Sequence, residues 1–444
     1  MTNQLTGENV FSNLIRFAIP YFVACFLQSF YGLADLYIVG QFRGSSAISA
    51  VSVGSQVIHM VTVIIVGLVM GTTVFLGKAI GGNDKKALAK GIGNTISLFA
   101  FVAVLMTIVF TVLTPMILRA MSIPTEAYAE AKDYLHICFL GIPFITAYNV
   151  ISGIFRGLGD TRHPMYFVAV AGVLNVGLDY WFIGFLDLGA AGAAYATVIA
   201  QAVSVAVALV SVPHLQLPIT FTRADLRFDA EIIRHIFLVG GPIAAQDGFI
   251  QIGFLIITII ANLRGVDTSA AVGIVEKIIT FLFLVPSAML SAVSAVSAQN
   301  IGAGMAHLAK RALRYGLWIC VIYGVILAVI FQFIATPVVS LFAKGNAQVV
   351  ILGAQYLRAY IFDCIVAGIH FCFSGYFAAC GKSWISFLHN MVSIVAVRIP
   401  GCYLASVLFP ESLYPMGWAT PLGSLVSAII CVIAYRLIYC RQVQ

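Results

Sequence analysis

Charge is scarce in this chain. Only 9% of its 444 residues are Asp, Glu, Lys or Arg, against roughly 25% in an ordinary soluble domain. So few charges cannot cover a soluble protein of this size, which excludes a cytosolic enzyme, a nucleic-acid reader and a disordered scaffold. Patterned cysteine is lacking too. The nine cysteines follow neither metal-ligand nor disulfide spacing, and most stand in apolar runs, where a thiol is a small packing side chain. The start, MTNQLTGENVFSNLIRF, has no basic segment followed by a short apolar stretch and a small-residue cleavage site. It reads as an interfacial helix leading into an uncleaved first span, not as a signal peptide. The loop Gly77–Lys90 lacks the GK[ST] ending of a phosphate loop and follows no strand, so it reads as a helix-turn with a basic face.

What is abundant is apolar sequence, at 61% of the residues. A membrane span needs about 20 such residues. Long apolar runs separated by charged or Gly/Pro breaks predict twelve helices, near 14–40, 46–76, 91–118, 133–157, 164–187, 190–212, 233–262, 268–297, 313–340, 351–379, 385–408 and 417–438. The expected fold is all-α, a polytopic membrane protein with no room for a sizeable soluble domain. Several runs exceed 25 residues, so tilting or protrusion is expected. With the N-terminus inside, sixteen of the 24 Lys and Arg fall on inner loops and five on outer ones. The remaining three, Lys277, Arg358 and Arg398, lie within spans. That bias puts both termini in the cytoplasm.

The two halves repeat. Arg43-Gly44 recurs as Arg264-Gly265 and Ile80-Gly81 as Ile301-Gly302, 221 residues later. Tyr134-Leu135 recurs as Tyr356-Leu357, and Ser152-Gly153-x-Phe155-x-x-x-Gly159 as Ser374-Gly375-x-Phe377-x-x-x-Gly381, 222 residues later. The expected organisation is two pseudo-symmetric six-helix lobes, 1–213 and 233–444, joined by a cytoplasmic linker at 214–232. Because six is even, both lobes enter from the same side, as in transporters built of parallel repeats with a cavity between them. A membrane enzyme or a receptor needs no such pair.

Five acids fall inside the expected spans: Asp35, Asp179, Asp247, Glu276 and Asp363. A charge there is expensive and is a functional hypothesis by default. At about 1.5 Å per residue, Asp35, Asp179 and Thr197 lie roughly 8–12 Å below the outer ends of their helices, at one level of the first lobe. Asn175 is one helical turn before Asp179 and shares its face. Gln28, Tyr31 and Asp35 form a polar stripe at i, i+3, i+7. Two carboxylates with amide, hydroxyl and carbonyl oxygens suit Na⁺, since hard cations take oxygen ligands, or protons, since desolvation favours the neutral form of a carboxyl group. Asn175 and Thr197 also fit plain interhelical hydrogen bonds. In the second lobe Asp247 stands near the middle of its helix. Glu276 and Asp363 either pair with Arg398, Lys277 or Arg358 as structural ion pairs or take part in transport. The histidines His59, His136, His370 and His389 read as interhelical hydrogen-bonders.

Several ordered segments resemble the multidrug and toxic compound extrusion (MATE) family. The first helix carries Pro20, Gln28, Asp35 and Val39-Gly40, similar to its P…Q…D…VG pattern. Arg156-Gly157-x-Gly159-Asp160-Thr161-Arg162-x-Pro164 resembles its RGxGDTRxP loop. Asn175-x-x-x-Asp179 followed by Gly189-x-x-Gly192-Ala193-Ala194 is similar to its fifth and sixth helices, and Gln299-x-Ile301-Gly302-Ala303-Gly304, Arg398-x-Pro400 and Gly417-Trp418 add matches in the second half. The resemblance implies a twelve-helix, two-lobed antiporter, with no cofactor, that expels mostly cationic, amphipathic organic compounds in exchange for Na⁺ or H⁺. In prokaryotic branches it would put the coupling-cation site, a possible Na⁺ site, on Asp35, Asn175, Asp179 and Thr197, with Tyr31 and Asn149 at neighbouring positions. The chain departs from other branches at Ile250, where they carry an acid eight positions after the seventh-helix proline, and Gly381–Ser386 departs from RGxGDTRxP. A second-lobe cation site of that kind is thereby put in doubt.

The expectation is a monomeric cation-coupled exporter in the bacterial inner membrane, with small organic cations and the lipid bilayer as its partners and no nucleic acid. The alternative is a flippase for a lipid-linked precursor, which would want several Arg or Lys in its cavity and has only Lys277, Arg358 and Arg398 as candidates. A facilitator-type carrier would want a basic Asp-Arg loop between helices 2 and 3, which is missing.

Overall fold

The computed structural model describes residues 5–121, 123, 125–212, 222–343 and 345–443. Among these there is no strand. The helices are α1 (Val10–Phe42), α2 (Ser45–Gly81), α3 (Lys85–Ala120), α4 (Thr125–Leu140), α5 (Ile142–Gly157), α6 (Arg162–Asp179) and α7 (Gly189–Ser211). After a short 3-10 turn at Arg223–Leu226 come α8 (Ala230–Asn262), α9 (Val266–Leu282), α10 (Leu284–Gly302), α11 (Ala306–Ser340), α12 (Ala347–Tyr360), α13 (Asp363–Ala379), α14 (Trp384–Ser393), α15 (Ile399–Leu408) and α16 (Tyr414–Val443). Among the described residues ten helical stretches are long and apolar enough to cross a membrane, and two bent pairs, α4–α5 (47°) and α12–α13 (43°), bring the number to twelve when each pair is one span. The chain is a multi-pass membrane protein. Large apolar side chains such as Phe101, Val112, Val173, Phe185 and Phe333 face outward, which suits lipid and would aggregate a soluble protein.

The chain divides into two compact units, one of Ile19–Phe237 and one from Leu238 onward. Leu5–Ala18 belongs to the second unit, not to the first lobe as its place in sequence suggested. The reason is local bonding: the Leu5 amide donates to Oε1 of Gln299 at 2.7 Å and Nδ2 of Asn300 donates to the Leu5 carbonyl at 3.1 Å. Arg311 pairs with Glu8 at 2.5 Å beside them. The first part of the expected linker, 214–221, lies outside the described residues.

The repeat read from sequence is visible in backbone detail. Four helices end in a turn whose closing amide reaches five residues back: Asp84 to Ala79, Asp160 to Phe155, Met305 to Asn300 and Lys382 to Phe377, at 2.8–2.9 Å. In each, the residue before that amide has positive φ: Asn83 (54°), Gly159 (88°), Gly304 (75°) and Gly381 (73°). Glycine or asparagine is the residue that tolerates this helix ending. Asn83 and Gly304 are 221 apart, and Gly159 and Gly381 are 222 apart, the spacing of the sequence repeat. The matched Ser-Gly pairs are packing seams. A Cβ on Gly153 would sit 2.0 Å from Cγ1 of Val69, and one on Gly375 would sit 2.3 Å from the Leu290 carbonyl oxygen. With no hydrophobic drive between helices in lipid, such close approach is what holds them together.

The fifth span of each unit contains a π-helical turn: Tyr180–Phe185 directly after Asp179, and Ile394–Arg398 between α14 and α15. The extra residue of a π turn leaves backbone out of register, and such turns gather at functional sites. The α4–α5 bend follows from Pro143 in the first turn of α5, which has no amide hydrogen to continue the ladder. The α12–α13 bend has no proline at its break.

Candidate functional site

In the first unit α1, α6 and α7 bring Asp35, Asn175, Asp179 and Thr197 together. All but Thr197 are buried, Asp179 completely (0% exposed). The Thr197 hydroxyl accepts from Nδ2 of Asn175 at 3.5 Å. Its one proton has two acceptors in reach, the Ala193 carbonyl at 3.0 Å and Oδ2 of Asp35 at 3.4 Å. The carboxyl groups of Asp35 and Asp179 are neighbours. Four buried oxygens here have no hydrogen-bond partner: Oδ1 of Asp35, Oδ1 of Asn175 and both carboxylate oxygens of Asp179. Buried polar atoms are normally satisfied. A group of orphaned acceptors with two acidic heads needs protons or a hard cation between them.

Helix geometry explains the assembly. Asn175, Asp179 and the π turn that follows share one face of the fifth span, and α7 starts at Gly189 with φ of 59°, which turns the chain back beside α6. The small run Gly189-Ala190-x-Gly192-Ala193-Ala194 lets α7 pack closely: a Cβ on Gly192 would be 3.2 Å from Phe182 backbone.

One turn further along the same faces, Nε2 of Gln201 donates to the Tyr31 hydroxyl at 3.2 Å. Tyr31 has Gln28 and Asp35 as neighbours, so the stripe read from sequence joins the cluster. Gln201 was missed, although its spacing of four from Thr197 carries the signal. Asn149 is buried on α5, and its amide donates to the Ile145 carbonyl one turn back at 2.8 Å, a bond within its own helix. Above the cluster, a cavity of about 240 Å³ is lined by Arg43, Glu130, Asp133, Asp187 and Gly189, with Arg43 paired to Asp187 at 2.8 Å.

Arg156, in the last turn of α5, is one of the sixteen basic residues counted on the inner side, and it is buried, with its guanidinium 5.2 Å from the Tyr21 ring centroid. A guanidinium over an aromatic face tolerates burial that a lysine would not.

In the second unit Arg398 chooses Asp363 among its possible partners. Its Nη2 lies 3.3 Å from Oδ2 of Asp363 and donates to Oγ of Ser424 at 2.9 Å. The other candidates separate. Arg358 donates to the Gln332 carbonyl at 3.2 Å and to Oγ1 of Thr336 at 3.1 Å, Lys277 is exposed, and Asp247 and Glu276 are half-buried. Glu276 accepts from the Thr258 hydroxyl at 3.4 Å. His389 bonds Ser374 across helices at 3.1 Å, the role its sequence context suggested. Nothing in the sequence pointed to Ser424. Among the described residues no group of three His, Cys, Asp or Glu forms a metal-ligand cluster.

The MatE family model matches residues 20–181 and 242–404, one block in each half. The chain belongs to the MATE family. It is 24% identical over 449 residues to the probable multidrug resistance protein YoeA of Bacillus subtilis (strain 168), covering 100% of this chain and 97% of that one. To the probable multidrug resistance protein YpnP of the same organism it is 27% identical over 432 residues, covering 97% and 96%. Its fold matches that of an outward-facing multidrug resistance MATE family transporter of the MOP superfamily with a TM-score of 0.91, at 22% identity and over 98% of this chain and 97% of that one. As a MATE protein the chain is a transporter and not an enzyme. The flippase reading is not favoured, because the relatives are named for multidrug resistance.

Proposed function

We propose that this MATE transporter is a cation-coupled antiporter that exports amphipathic, mostly cationic organic compounds, with Asp35, Asn175, Asp179 and Thr197 holding the coupling ion, Na⁺ or H⁺. The observation that carries the reading is the set of four buried, partnerless oxygens on Asp35, Asn175 and Asp179. Gln28, Tyr31 and Gln201 act as its polar surround. The names of the relatives support the drug class. The protein works as a monomer in the bacterial inner membrane, and the basic-residue bias favours both termini in the cytoplasm.

Coupling needs each ligand to favour one of two helix arrangements. A cation between Asp35 on α1 and Asp179 on α6 draws those helices together. Without it, two buried carboxylates repel, and the long 3.4–3.5 Å bonds through Thr197 are too weak to hold them. The ion therefore has a strong preference between arrangements. The test is transport of a fluorescent organic cation in proteoliposomes, with Na⁺ and pH gradients imposed separately. Asp35→Asn is expected to insert normally and to lose ion-driven efflux. Wild-type efflux from that variant at equal incorporated protein sinks the assignment.

A further inference from the structure

The two units use the same parts differently. In the first, the fifth span ends its regular helix on Asp179 just before its π turn, and the sixth span supplies a hydroxyl, Thr197, to the acid Asp35. In the second, the fifth span closes its π turn on Arg398 and the sixth supplies a hydroxyl, Ser424, but the acid, Asp363, comes from α13 in the fourth span, where Asp35 comes from the first span of its unit. Asp363 is completely buried (0% exposed) and Arg398 nearly so. The site is built around the arginine. A Cβ on Gly423 would stand 2.5 Å from Cγ of Arg398 and 2.8 Å from Oγ of Ser393, so α16 is cut away where the arginine stem passes. Yet the pair is not a closed fork: Oδ1 of Asp363 and Nε of Arg398 have no partner. A bidentate clamp would have used both. What the arginine supplies is one positive charge beside one buried carboxylate.

We propose that Arg398 is a tethered cation. It compensates Asp363 in the second unit as a free ion compensates the acids of the first, so that this unit stays neutral throughout the cycle and carries no coupling ion. The inference rests on the proposed ion site at Asp35 and Asp179. Its consequence concerns the count of ions: each cycle moves only those bound in the first unit, and removing the tethered charge opens Asp363 to a free one.

The experiment compares reconstituted wild type, Arg398→Met, Arg398→Lys and the double variant Asp363→Asn/Arg398→Met at equal incorporated protein. The number of coupling cations moved per drug cation is read from the imposed gradient that just stops net transport. Arg398→Met is expected to move one more cation than wild type, and Arg398→Lys and the double variant to keep the wild-type count. An unchanged count in Arg398→Met overturns the proposal, as does a double variant that accumulates but does not transport. An Arg398→Met protein that is inactive or fails to accumulate is expected to recover when low concentrations of guanidinium chloride supply the missing head group. No recovery, with the double variant behaving normally, refutes the tethered-cation role. Asp35→Asn, run alongside, separates the two ideas: if it still couples, the first-unit ion site is wrong, whereas the extra ion in Arg398→Met is read against wild type and judges the second unit alone.

Discussion

Replacing Asp179 by asparagine isolates the electrostatic part of the first unit's polar centre. The side chain is fully buried and its carboxyl group meets that of Asp35, so the change alters almost no volume and leaves an amide that can still bond Asp35. What it removes is one negative charge next to the ion. Opposite unit charges about 4 Å apart attract by about 4 kcal/mol at an effective dielectric of about 20. At about 1.4 kcal/mol per decade this is roughly a thousandfold in affinity for the coupling cation. Folding should move the other way. The variant removes repulsion between neighbouring buried acids, and its new Nδ2 can donate to the orphaned Oδ1 of Asp35, so thermal stability in detergent should hold or rise. The assay is ion-stimulated efflux in proteoliposomes across a wide range of ion concentration, with a thermal melt on the same preparation. Half-saturation within tenfold of wild type, at equal protein and an unlowered melting temperature, would refute the reasoning, because no other large ion ligand would have been lost.

Thr197→Val keeps the shape and removes one neutral ligand oxygen together with the bridge between Asn175 and Asp35; a loss of about 1–2 kcal/mol, or roughly fivefold to thirtyfold weaker ion stimulation, is expected in the same efflux assay, and no change would exclude the hydroxyl from the ion's shell. Gly375→Ala sets a Cβ 2.3 Å from the Leu290 carbonyl on α10, a backbone atom that cannot rotate away, while Gly153→Ala meets only a Val69 methyl; Gly375→Ala should cost about 1–3 kcal/mol and melt well below Gly153→Ala, and the reverse order in detergent melts would disprove this view of the seams. Outside the membrane, the Thr222 hydroxyl and amide both donate to Asp225 at 2.7 and 2.8 Å and hold its carboxyl below the ordinary value. A lowered folded-state value means the turn is supported at neutral pH and loses that support as pH falls through the lowered value. Hydrogen exchange at Thr222–Leu226, corrected for intrinsic rates, should therefore speed up on acidification and in Asp225→Asn, and protection that ignores both would count against it.

Hydropathy placed the spans within a few residues at most ends, because long apolar runs have few structural outcomes and lipid leaves only the helix. The depth estimate brought Asp35, Asn175, Asp179 and Thr197 to one level, and they share one cluster, since a straight helix converts residue number to height. What sequence could not supply were the places where the helix departs from regularity. The π turns after Asp179 and before Ile399 depend on how one extra residue packs, and averaging over a span erases that. Arg156 read as a loop charge because it closes α5 beside a Gly-rich turn; that its stem folds back onto Tyr21 depends on a ring 135 positions away. Leu5–Ala18 joined the second unit through bonds from the Leu5 backbone to the side chains of Gln299 and Asn300, partners that no local pattern announces.

Scarcity of charge carries the mechanistic argument further. A carboxylate inside such a fold must be compensated by a cation that is either built into the chain or free to leave. A built-in partner makes the group insensitive to ion gradients, because its compensation never changes. A free partner makes the local structure depend on ion supply, which is the differential affinity that coupling requires. Asp363 has the first kind in Arg398. Asp179 sits beside another acid with no basic side chain paired to it, and the proposed ion site gives it the second. Two units with the same helix order and matched turns can thus divide the labour by one choice of side chain at the fifth-span π turn, one sensing the ion and the other remaining electrically silent. On this logic, moving a guanidinium to the first unit while removing its second acid, as in Asp35→Asn/Asn175→Arg, would compensate Asp179 from within, and proteoliposome efflux by that variant should no longer respond to either ion gradient.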